Sequence, residues 1–148
     1  MQTQTDIIAL AKSLAETPYK YGATMEEAPN VFDCSGFVKY LYQQIGYDIP
    51  RSTIEQAEFA GEKVESLDDI KPGYLLYLHG KYGHYNPTFP EGIGHVVMYL
   101  GDKEVIHAVS KRTQREPQII EEGKVQIDKL DYVLEDSGPL VIIKRIKD

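Results

Sequence analysis

Cys34 is the single cysteine of this chain, and it stands in VFDCSGFVKYLYQQIG between a loop-like stretch and a helical one. One cysteine cannot form an intramolecular disulfide, so the thiol is either an inert core group or one kept for reactivity. To act as a nucleophile it needs a pKa lowered from about 8.5, a base to take its proton, and a group that orients the base. A helix start offers the first of these. Its unpaired N–H groups and the macrodipole favour negative charge, and the same N–H groups can hold a developing oxyanion. Gly36, with no side chain, leaves room for a second chain to approach that turn.

The candidate bases are His79, His84, His95 and His107. The first two lie in a loop-like segment, whereas His95 and His107 lie on consecutive strand-like runs joined at GDK, residues 101–103. If GDK is a three-residue hairpin loop, Leu100 faces Glu104, Val97 faces His107, and His95 is the diagonal neighbour of His107 on one sheet face. Diagonal neighbours are roughly 7–8 Å apart at the backbone, so two imidazoles can meet. A two-residue loop would shift the register by one and separate them. With the cysteine helix packed on that same face, Cys34 would be the nucleophile, His95 the base and His107 the group that fixes its tautomer.

Each feature also has a structural alternative. Free cysteine is among the most buried residue types, and a histidine inside a strand commonly serves packing. A zinc reading of HGKYGH with His95 lacks paired cysteines and a ligand spacing, and no glycine-rich phosphate loop occurs. No metal and no cofactor are therefore expected. The tyrosines, eleven in all, could line a carbohydrate or peptide groove, but most such residues fill cores and their number decides nothing.

The elements that must position these groups are legible in the apolar spacing. Residues 4–16 carry Ile7, Ile8, Leu10, Ala11, Leu14 and Ala15 at helical intervals before Pro18. An irregular stretch leads to Asp33. A second helix follows from Cys34, with Phe37, Val38, Leu41 and Ile45 on one stripe and Gly46 at its end. A third, in IPRSTIEQAEFAG, is capped by Ser52 or Thr53, with Glu55 or Gln56 behind. Strand-like runs then dominate, at 74–78, 95–100, 104–109 and 140–146. Helices first and strands later predict an α+β fold with an antiparallel sheet. The glycine-, proline- and aromatic-rich residues 79–94 form a long loop, on the active face or as a surface excursion.

Composition bounds the function classes. With 148 residues, 42% of them hydrophobic, residues 1–148 are expected to form one domain with a real core. A net charge of −7 argues against nucleic acid and against an anionic membrane as partner. MQTQTDIIALAKSLAE lacks the pattern of a secretory leader, and no apolar run approaches the roughly 20 residues of a membrane helix. A chain trimmed of its leader would look the same, so envelope and cytoplasm both stay open.

DCSGFVKYLYQQIGYDIPRSTIEQ and GIGHVVMYLGDKEVIHA, with PYKYGA upstream and KPGYLLYL between, resemble the signature blocks of the NlpC-type family of papain-like cysteine peptidases, over most of residues 5–109. The resemblance implies that Cys34 is the nucleophile, His95 the base and His107 its orienting partner. It implies that Tyr19 stands beside the nucleophile and that Asp33, Ser35 and Ser52 line the substrate side, where Asp33 and Ser52 can receive the free amine of a stem peptide. Asp33 and Ser52 also read as plain helix caps. The implied reaction is hydrolysis of the γ-D-glutamyl amide to meso-diaminopimelate or lysine in peptidoglycan peptides or muropeptides; the chain itself is expected to be a monomer. Tyr74 departs from the family's aspartate, which should alter a local turn or surface. The 79–94 loop and the Tyr19–Asp33 stretch are longer than usual and bear on substrate choice. Two alternatives use the same fold: a non-catalytic binding or assembly module, and an amidase or acyltransferase on another γ-glutamyl or isopeptide substrate.

Overall fold

A computed structural model describes residues 4–80, 84–114, 116–118 and 120–147. The helical intervals near the N-terminus become α1 (Gln4–Ser13), which buries Ile7 and Ala11. In α2 (Cys34–Gln43) the stripe of Phe37, Val38 and Leu41 is fully buried. Asp33 caps that helix by accepting the Gly36 N–H at 2.8 Å, which satisfies one of its orphan donors. In α3 (Thr53–Phe59) the cap is Ser52, whose hydroxyl accepts the Glu55 N–H and donates to the Glu55 carboxylate at 2.9 Å.

The described strands form one six-stranded antiparallel sheet in the order β1-β6-β2-β3-β4-β5. They are β1 (Glu62–Val64), β2 (Leu75–Leu78), β3 (His95–Gly101), β4 (Glu104–Gln114), β5 (Ile120–Lys129) and β6 (Leu140–Arg145), with α4 (Leu130–Ser137) between the last two. The fold is α+β, with α1–α3 ahead of the sheet. β2 is central and buried throughout, and each fully buried leucine in it contributes ~1.5–3 kcal/mol.

Both faces of the sheet are covered. Leu75, Tyr77, Val96, Met98, Ile106, Ala108 and Val125 pack with α1, α2 and α3 on one side. Leu76, Leu78, Val97, Val105 and Ile143 pack with Leu130 and Val133 of α4 on the other. Tyr74 belongs to this second cluster at 6% exposure, so the substituted position is a core site and not a surface one.

The β3–β4 hairpin differs from the expected three-residue loop. Its turn is the two residues Asp102 and Lys103, both at positive φ (52° and 61°), closed by Gly101 opposite Glu104. Positive φ at both central positions suits the twist of a two-residue hairpin. A register shift then lies between Tyr99 and Gly101, leaving Leu100 as an extra residue, and Tyr99 faces Val105 and Met98 faces Ile106. The bulge cancels the one-residue offset of the short turn, so His95 and His107 still share a face.

That face is not the one α2 packs on. His95 is paired with Leu78, and Leu78 and Val97 belong to the cluster under α4. Cys34 packs with the opposite cluster. Strict alternation along β3 and β4 thus corrects the expected common side. The sulfur reaches the histidines by another route: among the described residues the β3–β4 ladder ends at Met98 and Ile106, and the start of α2 lies at this open end, where the Val96 N–H faces the thiol.

Candidate active site

A cavity of about 750 Å³ opens over the start of α2, lined by Tyr19, Asp33, Cys34, Ser35, Ser52 and His95 among others. His107 stands behind His95, 3% exposed. The Nε2 of His95 lies 2.7 Å from Nδ1 of His107, with ring centroids 5.0 Å apart and planes at 62°. That contact leaves Nδ1 of His95 as the nitrogen available to a proton donor in the cavity.

The chain of contacts continues past the expected pair. Nε2 of His107 lies 2.8 Å from Oδ2 of Asp128 on β5, and the Gln126 amide donates to the same oxygen at 2.8 Å. Gln126 is directly opposite His107 in the sheet, so period-two spacing puts Gln126 and Asp128 on the histidine face. Neither was singled out by motif. The signal available in the sequence was the alternation of VQIDK around Val125.

Asp33 is tied down on both sides. One oxygen caps α2, and the other takes Nη2 of Arg51 at 2.7 Å. Arg51 also donates to the Ser35 hydroxyl at 2.8 Å and to the Ala23 carbonyl. The space Gly36 leaves is filled by these side chains: a Cβ there would lie 2.9 Å from Asp33 Oδ1 and 3.3 Å from Arg51 Nη2. The glycine therefore admits the Asp33–Arg51 pair and not a second chain. Gln56, fully buried, donates to the carbonyls of Ser35 and Pro50 at 3.1 and 2.8 Å and accepts the Tyr77 hydroxyl at 3.0 Å. It joins the start of α2 to α3 and β2.

Tyr19 is held by the other edge of the sheet. Its N–H donates to the Gly123 carbonyl at 2.9 Å, and Pro18 bridges Lys124. β4 and β5 come together closely there, because a Cβ on Gly123 would lie 1.9 Å from the Val109 carbonyl oxygen. Both lengthened segments border the cavity: Tyr21 to Met25 from one, Gly80, His84 and Gly94 from the other. Residues 81–83 of the long loop lie outside the described residues. His79 donates from Nδ1 to the Gly80 carbonyl at 2.7 Å, and His84 sits opposite Ile93 in a backbone bridge. Among the described residues no three of His, Cys, Asp and Glu gather as a metal site.

The electrostatics correct the expectation of a lowered thiol pKa. Burial, and then the Asp33 carboxylate, push Cys34 up to about 12 against the N–H groups of Val96 and Ser35 and the Arg51 charge. Burial and then the charge on His107 hold His95 down to about 3. His107 is lowered as well, by burial, against the opposing pull of Asp128 and Asp136. Asp128 stays low because the hydrogen bonds from His107 and Gln126 outweigh the upward push of its burial. These shifts favour a neutral thiol beside two neutral imidazoles at rest, with the Asp33 carboxylate next to the thiol and those of Asp128 and Asp136 acting on His107. Such an arrangement can pass a proton from sulfur to His95 as the sulfur attacks an electrophile.

The sequence profile of the NlpC/P60 family matches residues 16–128, a span that runs from before Tyr19 to Asp128. The chain belongs to the NlpC/P60 family. Protein P54 of Enterococcus faecium is 39% identical over 103 residues, 69% of this chain and 17% of that protein. A probable endopeptidase of Corynebacterium glutamicum is 34% identical over 107 residues, 72% of this chain and 44% of its own length. The gamma-DL-glutamyl hydrolase of Bacillus subtilis is 35% identical over 103 residues, 69% of this chain and 22% of that enzyme. The chain thus spans less than half the length of these curated relatives. Among solved structures, the NlpC/p60 domain of the peptidoglycan hydrolase SagA is 30% identical with a TM-score of 0.69, covering 97% of this chain and 99% of that one. An NlpC/P60 family protein from Bacillus cereus is 25% identical with a TM-score of 0.70, covering 98% and 40%. α4 and β6 follow the family-matched span, and α4 brings Asp136 to the cavity wall. No helix among the described residues is long and apolar enough to cross a membrane.

Proposed function

We propose that this chain is a one-domain cysteine endopeptidase that hydrolyses the γ-D-glutamyl amide to a diamino acid, meso-diaminopimelate or lysine, in peptidoglycan stem peptides. The observation that carries the reading is the meeting of Cys34, at the start of α2, with the hydrogen-bonded His95–His107 pair at one cavity. The names of the relatives, endopeptidases and a gamma-DL-glutamyl hydrolase, support the bond class.

Sγ of Cys34 attacks the amide carbonyl carbon while its proton moves to Nδ1 of His95. First-turn N–H groups of α2 not taken by Asp33 hold the oxyanion. His95 then gives that proton to the leaving amine as the C–N bond breaks, leaving a thioester. Water, losing a proton to His95, attacks the thioester, and the sulfur leaves and regains the proton. His107 holds the base in place throughout. Tyr19, Ser35 and Ser52 line the acyl side of the cavity, with Asp33 held by Arg51 beside them.

Muropeptides containing diaminopimelate and others containing lysine should be digested with the wild type, Cys34→Ala and His95→Ala, and the products weighed by mass spectrometry. The wild type should release one fragment ending in D-glutamate and one beginning with the diamino acid, and both variants should be inert but folded. Full activity in either variant, or cleavage at a different bond, overturns the proposal.

A further inference from the structure

We propose that Asp128, a residue outside the expected Cys34–His95–His107 set, is a positioning residue that fixes where the protons sit on both imidazoles and so makes His95 a base. The inference rests on the function proposed above for its kinetic consequence, and on hydrogen-bond geometry between an ionised carboxylate and two neutral imidazoles for the proton positions.

The proton positions follow from two contacts. An ionised carboxylate has no hydrogen to give, so Asp128 Oδ2, 2.8 Å from Nε2 of His107, can only accept. Nε2 of His107 therefore carries a hydrogen. A neutral imidazole carries one hydrogen, so Nδ1 of His107 is bare and must accept from Nε2 of His95, 2.7 Å away. His95, neutral in turn, has its lone pair on Nδ1, the nitrogen left to receive the thiol proton.

The opposite arrangement makes the same single imidazole–imidazole hydrogen bond. There His107 would donate from Nδ1, His95 would accept on Nε2, and His95 Nδ1 would carry a hydrogen toward the sulfur. In that form no base faces Cys34. The two forms differ only at the ends of the chain, and Asp128 is the end group that selects the productive one. Gln126 holds it there by donating to the same oxygen at 2.8 Å. When His95 takes the thiol proton, the imidazolium donates from Nε2 to an imidazole already anchored on a carboxylate, which stabilises the new charge on His95. Asp136, the other carboxylate acting on His107, favours positive charge there with the same sign.

Histidine-labelled protein in the Cys34→Ala background, which needs no substrate, reports the tautomers through its ¹⁵N shifts. Both His95 and His107 should show a protonated Nε2 and a bare Nδ1. In Asp128→Ala the preference should relax to a mixture of forms. Asp128→Asn keeps the shape but can turn its amide N–H toward Nε2 of His107, so the tautomers should shift toward the opposite arrangement. In otherwise wild-type protein, kcat for the muropeptide should fall on the order of 10²-fold in Asp128→Ala with KM unchanged, and at least as far in Asp128→Asn, where the wrong tautomer is favoured. A protonated Nδ1 on either imidazole in the reference protein, or unchanged tautomers and kcat in folded Asp128→Ala, overturns the inference. Activity in Cys34→Ala would instead overturn the proposed function and leave the tautomer result standing.

Discussion

Nη2 of Arg51 holds Oδ2 of Asp33 at 2.7 Å, directly before the candidate nucleophile in sequence. The pair has two effects: it keeps the helix cap in place, and it offsets a negative charge that pushes the Cys34 thiol up. Arg51→Ala should therefore lower stability by about 1.5–3 kcal/mol, the range for a hydrogen bond to a charged group, and slow the reaction of the thiol. Equilibrium denaturation and the rate of thiol modification measure the two effects separately. Unchanged values of both would show that the pair is ornamental.

With the thiol pushed up to about 12, Cys34 of the resting protein should react slowly with iodoacetamide at neutral pH. The rate should climb about tenfold per pH unit from pH 6 to 9 without a plateau, because only the thiolate reacts. A plateau below pH 8 would mean a thiolate–imidazolium pair at rest.

His95 should make the protein acid-sensitive. In the unfolded chain a histidine titrates near 6.5, and in the folded one His95 is held down to about 3. Between those values the unfolded state binds more protons, so stability present above pH 6.5 is lost as the pH falls toward 3. The limiting loss is roughly 5 kcal/mol. Urea midpoints measured across that window should fall with acid, and the slope should flatten in His95→Gln.

Gly123→Ala tests the close approach of β4 and β5. The added Cβ would lie 1.9 Å from the Val109 carbonyl oxygen, so the strands must part. A cost of about 2–4 kcal/mol is expected. Because Tyr19 hangs on the Gly123 carbonyl, KM for the muropeptide should rise as well. A variant with wild-type melting temperature and KM would contradict this account.

Much of the site was legible because its residues sit where local rules are strong. The stripe of Phe37, Val38 and Leu41 announces α2, and β-branched runs announce β3 and β4. The diagonal relation of His95 and His107 follows from counting residues around the turn. The count reached the right register through the wrong loop, since nothing in GDK marks Leu100 as an extra residue. β5 and α4 were harder to read. Glu122, Lys124 and Asp128 dilute the apolar alternation of an edge strand that also contains glycine, and α4 buries only Leu130 and Val133 among its residues. With β5 unread, Asp128 could not be placed opposite the histidines. The face on which α2 packs was equally hidden, because it depends on where the β3–β4 ladder opens and no single segment encodes that.

The extra residue at Leu100 makes the hairpin unequal in its tolerance of length change. Deleting Leu100 would merge Tyr99 with Gly101 into a regular ladder and leave Met98 opposite Ile106, so the imidazoles would keep their places. Deleting one residue between Val96 and Met98 would turn His95 to the other side of the sheet, away from His107 and Asp128. Between the turn and the histidines, the chain tolerates the loss of a residue only where the bulge stands.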